Sequence, residues 1–187
     1  MSLPLLYRLE HYLKANEITD AKLFFKSFEI LAEASDKGAQ SGNGEDIALM
    51  IPAVVNGALA CELYMKSMIK PRPRGHKLDE LYGKLEAGIQ QLIKSMMVNV
   101  GKSRDSSYNE AKFMSQLKDY GDTFIEWRYF YEGSPEIYTN FIKDLLYILK
   151  GIAEMVEKGV DLSNVKQGFI HTVEVNVPAD VTKVEAV

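Results

Sequence analysis

Glu62-Leu-Tyr-Met-Lys66-Ser-Met-Ile-Lys70-Pro-Arg72-Pro-Arg74-Gly75-His76-Lys77-Leu78-Asp79-Glu80-Leu81-Tyr82-Gly83-Lys84-Leu85 is the stretch on which the reading of this chain turns. Upstream of it, Ile47, Leu49, Met50, Ile51, Val54, Val55, Leu59, Leu63, Met65 and Ile69 put apolar side chains on nearly every side of a helix starting near Glu45. That is the pattern of a central helix. Pro71, Pro73 and Gly75 must end it, because proline lacks an N–H and biases the residue before it away from helical backbone. Downstream, Leu78, Leu81, Tyr82, Leu85, Ile89, Leu92, Ile93 and Met96 form a new helical stripe. Asp79 and Glu80 stand where a helix start favours negative charge. The expected product is an antiparallel helical hairpin.

Working outward, Leu5, Leu6, Leu9, Tyr12 and Leu13 predict a short amphipathic N-terminal helix. Thr19 can cap the next helix, whose stripe is Leu23, Phe24, Phe28 and Leu31, and Gly38 to Gly44 reads as a loop. Ser107 and Glu110 match a capping box opening a helix through Met114, Leu117, Gly121, Phe124, Arg128 and Tyr131, with Gly133 at its end. Ser134 and Pro135 then start a last helix, with Tyr138, Phe141, Leu145, Leu149 and Ile152 on its inner face and Gly159 closing it. Val173, Val175 and Val177 alternate with polar residues, the period of a strand without an obvious partner. The fold class expected is therefore all-α: an up-and-down bundle of roughly four to five main helices, a short N-terminal helix and an extended C-terminal tail. Residues 1–165 would form a single helical domain and 166–187 the tail.

With 187 residues the chain suits one core better than two. A net charge of -4 argues against coating nucleic acid with the whole surface, while leaving room for a local basic patch. Cys61 is the sole cysteine, so no intrachain disulfide and no thiolate zinc site are expected. The N-terminus does not resemble a secretory leader. Ile47 to Cys61 falls short of the roughly 18 residues that span a bilayer and contains Pro52, Asn56 and Gly57, so it reads as a buried helix. A cytoplasmic protein with no membrane partner is the expectation.

Charged residues on apolar faces are the candidates for chemistry. Glu62 shares a face with Leu59, Met65, Lys66 and Ile69, and Arg128 lies in the row Leu117, Gly121, Phe124, Arg128, Tyr131. A buried charge needs a partner, so the helices are expected to cross where Glu62 and Arg128 meet, with Lys66 one turn away. This trio reads either as a structural ion-pair network or as a pocket binding phosphate through Arg128 and Lys66. The break adds a basic patch, Lys70, Arg72, Arg74 and Lys77, which is equally a solvated turn or a phosphate surface. His76 can act in a site or cap the third helix. Trp127-Arg-Tyr-Phe-Tyr-Glu132 reads as packing aromatics. His11, His76 and His171 are scattered, with no metal-ligand spacing and no phosphate-loop motif, so neither metal nor cofactor is expected.

Ala60-Cys-Glu-Leu-Tyr-Met-Lys66, Gly75-His-Lys-Leu-Asp-Glu-Leu81 and Glu126-Trp-Arg-Tyr129 together resemble the HEPN superfamily of prokaryotic helical domains. There a Glu-x-x-x-Lys helix, a Gly-His-x-Leu-x-x-Leu helix start and a later Arg-Tyr recur in this order, here across residues 45 to 150. The resemblance implies a helical bundle, commonly a homodimer, linked to nucleotidyltransferase partners, toxin–antitoxin or defence systems, or RNA cleavage. It places Glu62, Lys66, His76, Arg128 and Tyr129 in the ligand-binding region. The family's RNases carry an arginine followed a few residues later by a histidine. Here Arg128 is followed at the matching positions by Gly133, Ser134 and Pro135, and Arg72 and His76 are separated by three residues. The expected function is thus a HEPN-like, non-catalytic module binding a nucleotide, RNA or protein partner. The rivals are a metal-independent RNase with a rearranged Arg128/His76 site and a purely structural dimerisation protein.

Overall fold

The structure is a computed structural model that describes residues 16–121, 139–160 and 162. The described residues are mostly helical and contain no strand: α1 (Glu17–Ser41), α2 (Gly44–Ile47), α3 (Met50–Ser67), α4 (Leu78–Tyr82), α5 (Ala87–Arg104), α6 (Glu110–Asp119) and α7 (Thr139–Glu157). An all-α bundle is what the apolar periodicities require. The expected N-terminal helix, the strand-like segment around Val175, the helix start at Ser134 and Pro135, and Arg128 and Tyr129 lie outside the described residues.

α3 is the central element. Ala53, Val54, Ala58, Ala60, Cys61, Tyr64 and Met65 are all buried, and α1 and α7 pack along it. Pro52 is tolerated because it falls in the first turn, where backbone N–H groups have no intrahelical acceptor. Phe25 and Phe28 of α1 and Ile142, Leu145, Leu146 and Leu149 of α7 complete the core. Each such side chain contributes roughly 1.5–3 kcal/mol by leaving water. By length and composition the run Gly44–Ser67 is long and apolar enough to cross a membrane, which corrects the expectation that it is too short. α1 and α7 pack on it, 44% of its apolar 18-residue stretch is buried, and it carries buried Glu62 and Lys66 near its end.

Several boundaries differ from the sequence reading. α1 runs on through Gly38 to Ser41, and its N-cap is Asn16, whose Oδ1 accepts from the backbone N–H of Thr19. Thr19 is therefore the recipient of the cap and not the cap. Of the expected inner stripe, Phe28 is buried and Phe24 and Leu31 pack partly buried against the core, but Leu23 is 51% exposed, and Ile18, Ala21 and Phe25 join the buried face. The residues after Gly42 form the short α2, capped by Asn43.

The stripe from Leu78 to Met96 is two helices. α4 ends at Tyr82, and Leu85 is buried in the connection before α5. Gln90 stabilises the break by donating from Nε2 to the Leu85 carbonyl at 2.7 Å, while the Tyr82 hydroxyl donates to the Gln90 carbonyl at 2.8 Å. The long antiparallel hairpin is accordingly corrected: α3 meets the short α4, whereas α5 lies against α6 and α7.

The capping box also shifts. Asn109 is the N-cap of α6 and accepts from the Lys112 N–H at 3.1 Å, while Ser107 is bonded to Asp105. Met114, expected inside, is 42% exposed. Gly159 ends α7 as expected: the Val160 N–H reaches the Met155 carbonyl and the Gly159 N–H the Val156 carbonyl.

Candidate functional site

The last two turns of α3 carry Glu62 and Lys66 at the spacing that puts two side chains one above the other. Both are buried, with side chains 4% and 8% exposed, and Lys66 Nζ donates to Glu62 Oε1 at 2.7 Å. Pairing is what makes these charges tolerable away from water. The chain then leaves α3 through Pro71 and Pro73 and turns at Gly75, whose φ of 97° favours glycine. That turn returns His76 to the end of α3.

His76 Nδ1 lies 2.9 Å from the same Glu62 Oε1. With the carboxylate oxygen accepting, Nδ1 carries the proton and Nε2 is left as the outward ring nitrogen. The His76 side chain is 66% exposed although its anchor is buried. Glu62 thus holds one partner inside the protein and one at its surface. The expectation that His76 caps the third helix is corrected: Lys77, whose ammonium has no acceptor to offer, occupies the N-cap of α4 without a side-chain capping bond, and His76 is engaged by Glu62.

The basic patch surrounds this point. Lys70, Arg72, Arg74 and Lys77 are all exposed. Arg72 is tied down: its Nε lies 2.9 Å from Oε1 of Glu17, in the first turn of α1, while the Arg72 side chain stays 70% exposed. The start of α1 and the end of α3 are thereby joined by the break. The structure brings together Glu62, Lys66 and His76, but the proposed meeting of Glu62 with Arg128 falls outside the described residues.

Sequence reasoning missed two charged pairs. Glu17 gave no signal, since its link to Arg72 exists only once α1 and α3 lie side by side. Asp144 did give one: it interrupts the apolar series Phe141, Ile142, Leu145, Ile148 on the inner face of α7. It is buried and held by Arg104 at the end of α5, with Nη2 donating to Oδ1 at 2.8 Å and Nη1 to Oδ2. Nearby, Tyr108 packs on Gly101, where any Cβ would come within 2.2 Å of the Tyr108 ring. Burial, and then the negative charge of Asp144, push the Tyr108 phenol up to about 12 against the opposing effect of Arg104.

Among the described residues no group of three or more His, Cys, Asp or Glu side chains is gathered as a metal would require. The Cys61 thiol is fully buried, and burial pushes its pKa upward, so it is a packing residue and not a nucleophile. The chemistry available at the end of α3 is that of an oriented imidazole among exposed cations. No family model, curated protein or solved structure matches the chain.

Proposed function

We propose that this chain is a HEPN-like helical module that binds RNA or nucleotide phosphate, without cleaving it, at the end of α3 formed by Glu62, Lys66 and His76. The observation that carries this reading is the shared Glu62 oxygen, which neutralises a buried lysine and at the same time holds a largely exposed histidine. A structural pair needs only the first of these contacts. The second orients a ring towards solvent beside Lys70, Arg72, Arg74 and Lys77, where phosphate oxygens gain charge-assisted hydrogen bonds. Arg128 and Tyr129 join the site through the family resemblance, and a cytoplasmic homodimer is part of the same proposal. The non-catalytic character follows from the residues at positions 133–135, where the family's RNases would supply histidine.

The test is binding of fluorescent single-stranded RNA in a chelator, with cleavage followed on a gel. Wild type should bind and leave the RNA intact, and His76→Ala and Arg128→Ala should each weaken binding by about tenfold. Absence of binding by the wild type refutes the proposal. One observation favours a second reading, an RNase using His76: an imidazole whose Nδ1 is held by a buried carboxylate is oriented as a general acid–base group would be. Cleavage by the wild type that disappears in His76→Ala, with unchanged thermal stability, would select it.

A further inference from the structure

Within the break, two side chains are each held by a carboxylate from a neighbouring helix. Arg72 is held by Glu17 of α1, and His76 is held by Glu62 of α3. Both carboxylates are more covered than the groups they hold: Glu17 is 23% and Glu62 4% exposed, against 70% for Arg72 and 66% for His76. Each anchor engages the inner nitrogen, Nε of the guanidinium and Nδ1 of the imidazole. The Arg72 contact is an ion pair made at Nε and the His76 contact a hydrogen bond made at Nδ1, and among the described residues no hydrogen bond or ion pair is made by Nη1 or Nη2 of Arg72 or by Nε2 of His76. A long cationic side chain that merely aids solubility has no reason to be fixed at its stem and open at its tip, since fixing it costs rotamer entropy.

We infer that Arg72 and His76 form a preorganised two-point clamp for a phosphoryl oxyanion, with Glu17 and Glu62 as its positioning residues. Arg72 presents its planar pair of terminal N–H groups, which matches two oxygens of one phosphate. His76 contributes Nε2, a donor when the ring is protonated and an acceptor for a protonated phosphate or a ribose hydroxyl otherwise. The two residues sit on opposite sides of Pro73 and Gly75, and their anchors come from the start of α1 and the end of α3, so the clamp exists only when these helices are docked. This assignment rests on the RNA or nucleotide reading above and adds to it Glu17 and a specific, oriented role for Arg72.

The experiment uses the full chain and two probes, AMP and a fluorescent oligoadenylate RNA, with inorganic phosphate as competitor. Preorganisation and plain electrostatics make opposite predictions for Glu17→Ala. Removing a negative charge beside the site should tighten anion binding if charge alone matters, whereas loss of the anchor should weaken it by about threefold to tenfold. Arg72→Lys keeps the charge but loses the fork, so it should weaken binding by about tenfold, close to Arg72→Ala. Thermal melts accompany each variant, and Arg72 is exposed enough that both of its substitutions should fold.

Tighter binding by Glu17→Ala, or an Arg72→Lys variant that binds like wild type, overturns the clamp. Binding that Arg128→Ala abolishes and no change at Arg72 affects also overturns it, yet leaves the broader RNA reading standing. Failure of wild type to bind either probe removes both. Binding of AMP with phosphate competition identifies a terminal phosphate as the ligand group, and binding of the oligoadenylate alone identifies the nucleic-acid backbone.

Discussion

Glu62 on α3 and Asp144 on α7 are both 3% exposed, yet the partners they hold behave differently. Asp144 gives each of its oxygens to one arm of the Arg104 guanidinium. Its hydrogen-bonding capacity is turned towards a single partner that seals α5 against α7. Glu62 directs two partners to one oxygen, and the second, His76, stands mostly in solvent. The first arrangement closes both carboxylate oxygens on one cation, whose side chain is 42% exposed. The second shares one oxygen between a buried lysine and a histidine that is 66% exposed, and that sharing separates a candidate site from a fold-holding pair better than burial or charge does.

Breaking the closed pair should have the largest effect. Arg104→Ala leaves both oxygens of buried Asp144 without the guanidinium, so urea denaturation should show a loss of about 3–5 kcal/mol. Glu62→Ala should cost less, about 2–3 kcal/mol, because the long stem of Lys66 can carry its ammonium towards water and His76 is already exposed. A larger loss for Glu62→Ala than for Arg104→Ala would reverse the distinction.

Gly101→Ala probes the packing beside the closed pair. Its Cβ would overlap the Tyr108 ring, and displacing that ring should cost about 1–2 kcal/mol in the same assay. Tyr108 and Tyr82 also report through their phenols. Burial, chiefly, pushes both from 10.0 up to about 12. A folded value above the unfolded one means that folding favours the neutral phenol. The resulting stability is fully present below pH 10 and is lost as pH rises through about 12. Ultraviolet titration should therefore show these two ionising late. Asp144→Asn should bring Tyr108 down, since the Asp144 charge is one of the forces raising it.

The smallest effect on stability belongs to the open arrangement. His76→Ala should change unfolding free energy by less than about 0.5 kcal/mol while weakening RNA binding. A stability loss comparable to that of Glu62→Ala, with binding unchanged, would make His76 a structural residue after all.

Much of the fold was legible because apolar period and helix breakers act locally. The all-round apolar character of residues 47–69 predicted a central helix, and Pro71, Pro73 and Gly75 predicted its end. The split at Gly83 to Glu86 was not legible: Leu85 continues the helical stripe, and only its burial and the side-chain bonds of Gln90 show that the backbone departs from it. Leu23 illustrates the converse, an apolar residue at helical spacing that no neighbouring element covers among the described residues. Of the candidate site, Glu62 and Lys66 were readable from their spacing on one helix. His76 was singled out but assigned a different contact.

Local chemistry was enough to specify helices, their approximate ends and a pair of charges aimed inward, because backbone preference and a four-residue offset involve only near neighbours. Partner choice required the folded chain. Glu17 with Arg72, Glu62 with His76 and Arg104 with Asp144 join residues far apart in sequence or across a break, and each depends on how elements dock. Charge sets what a side chain must find, whereas packing sets which partner is within reach and which face remains open to a ligand.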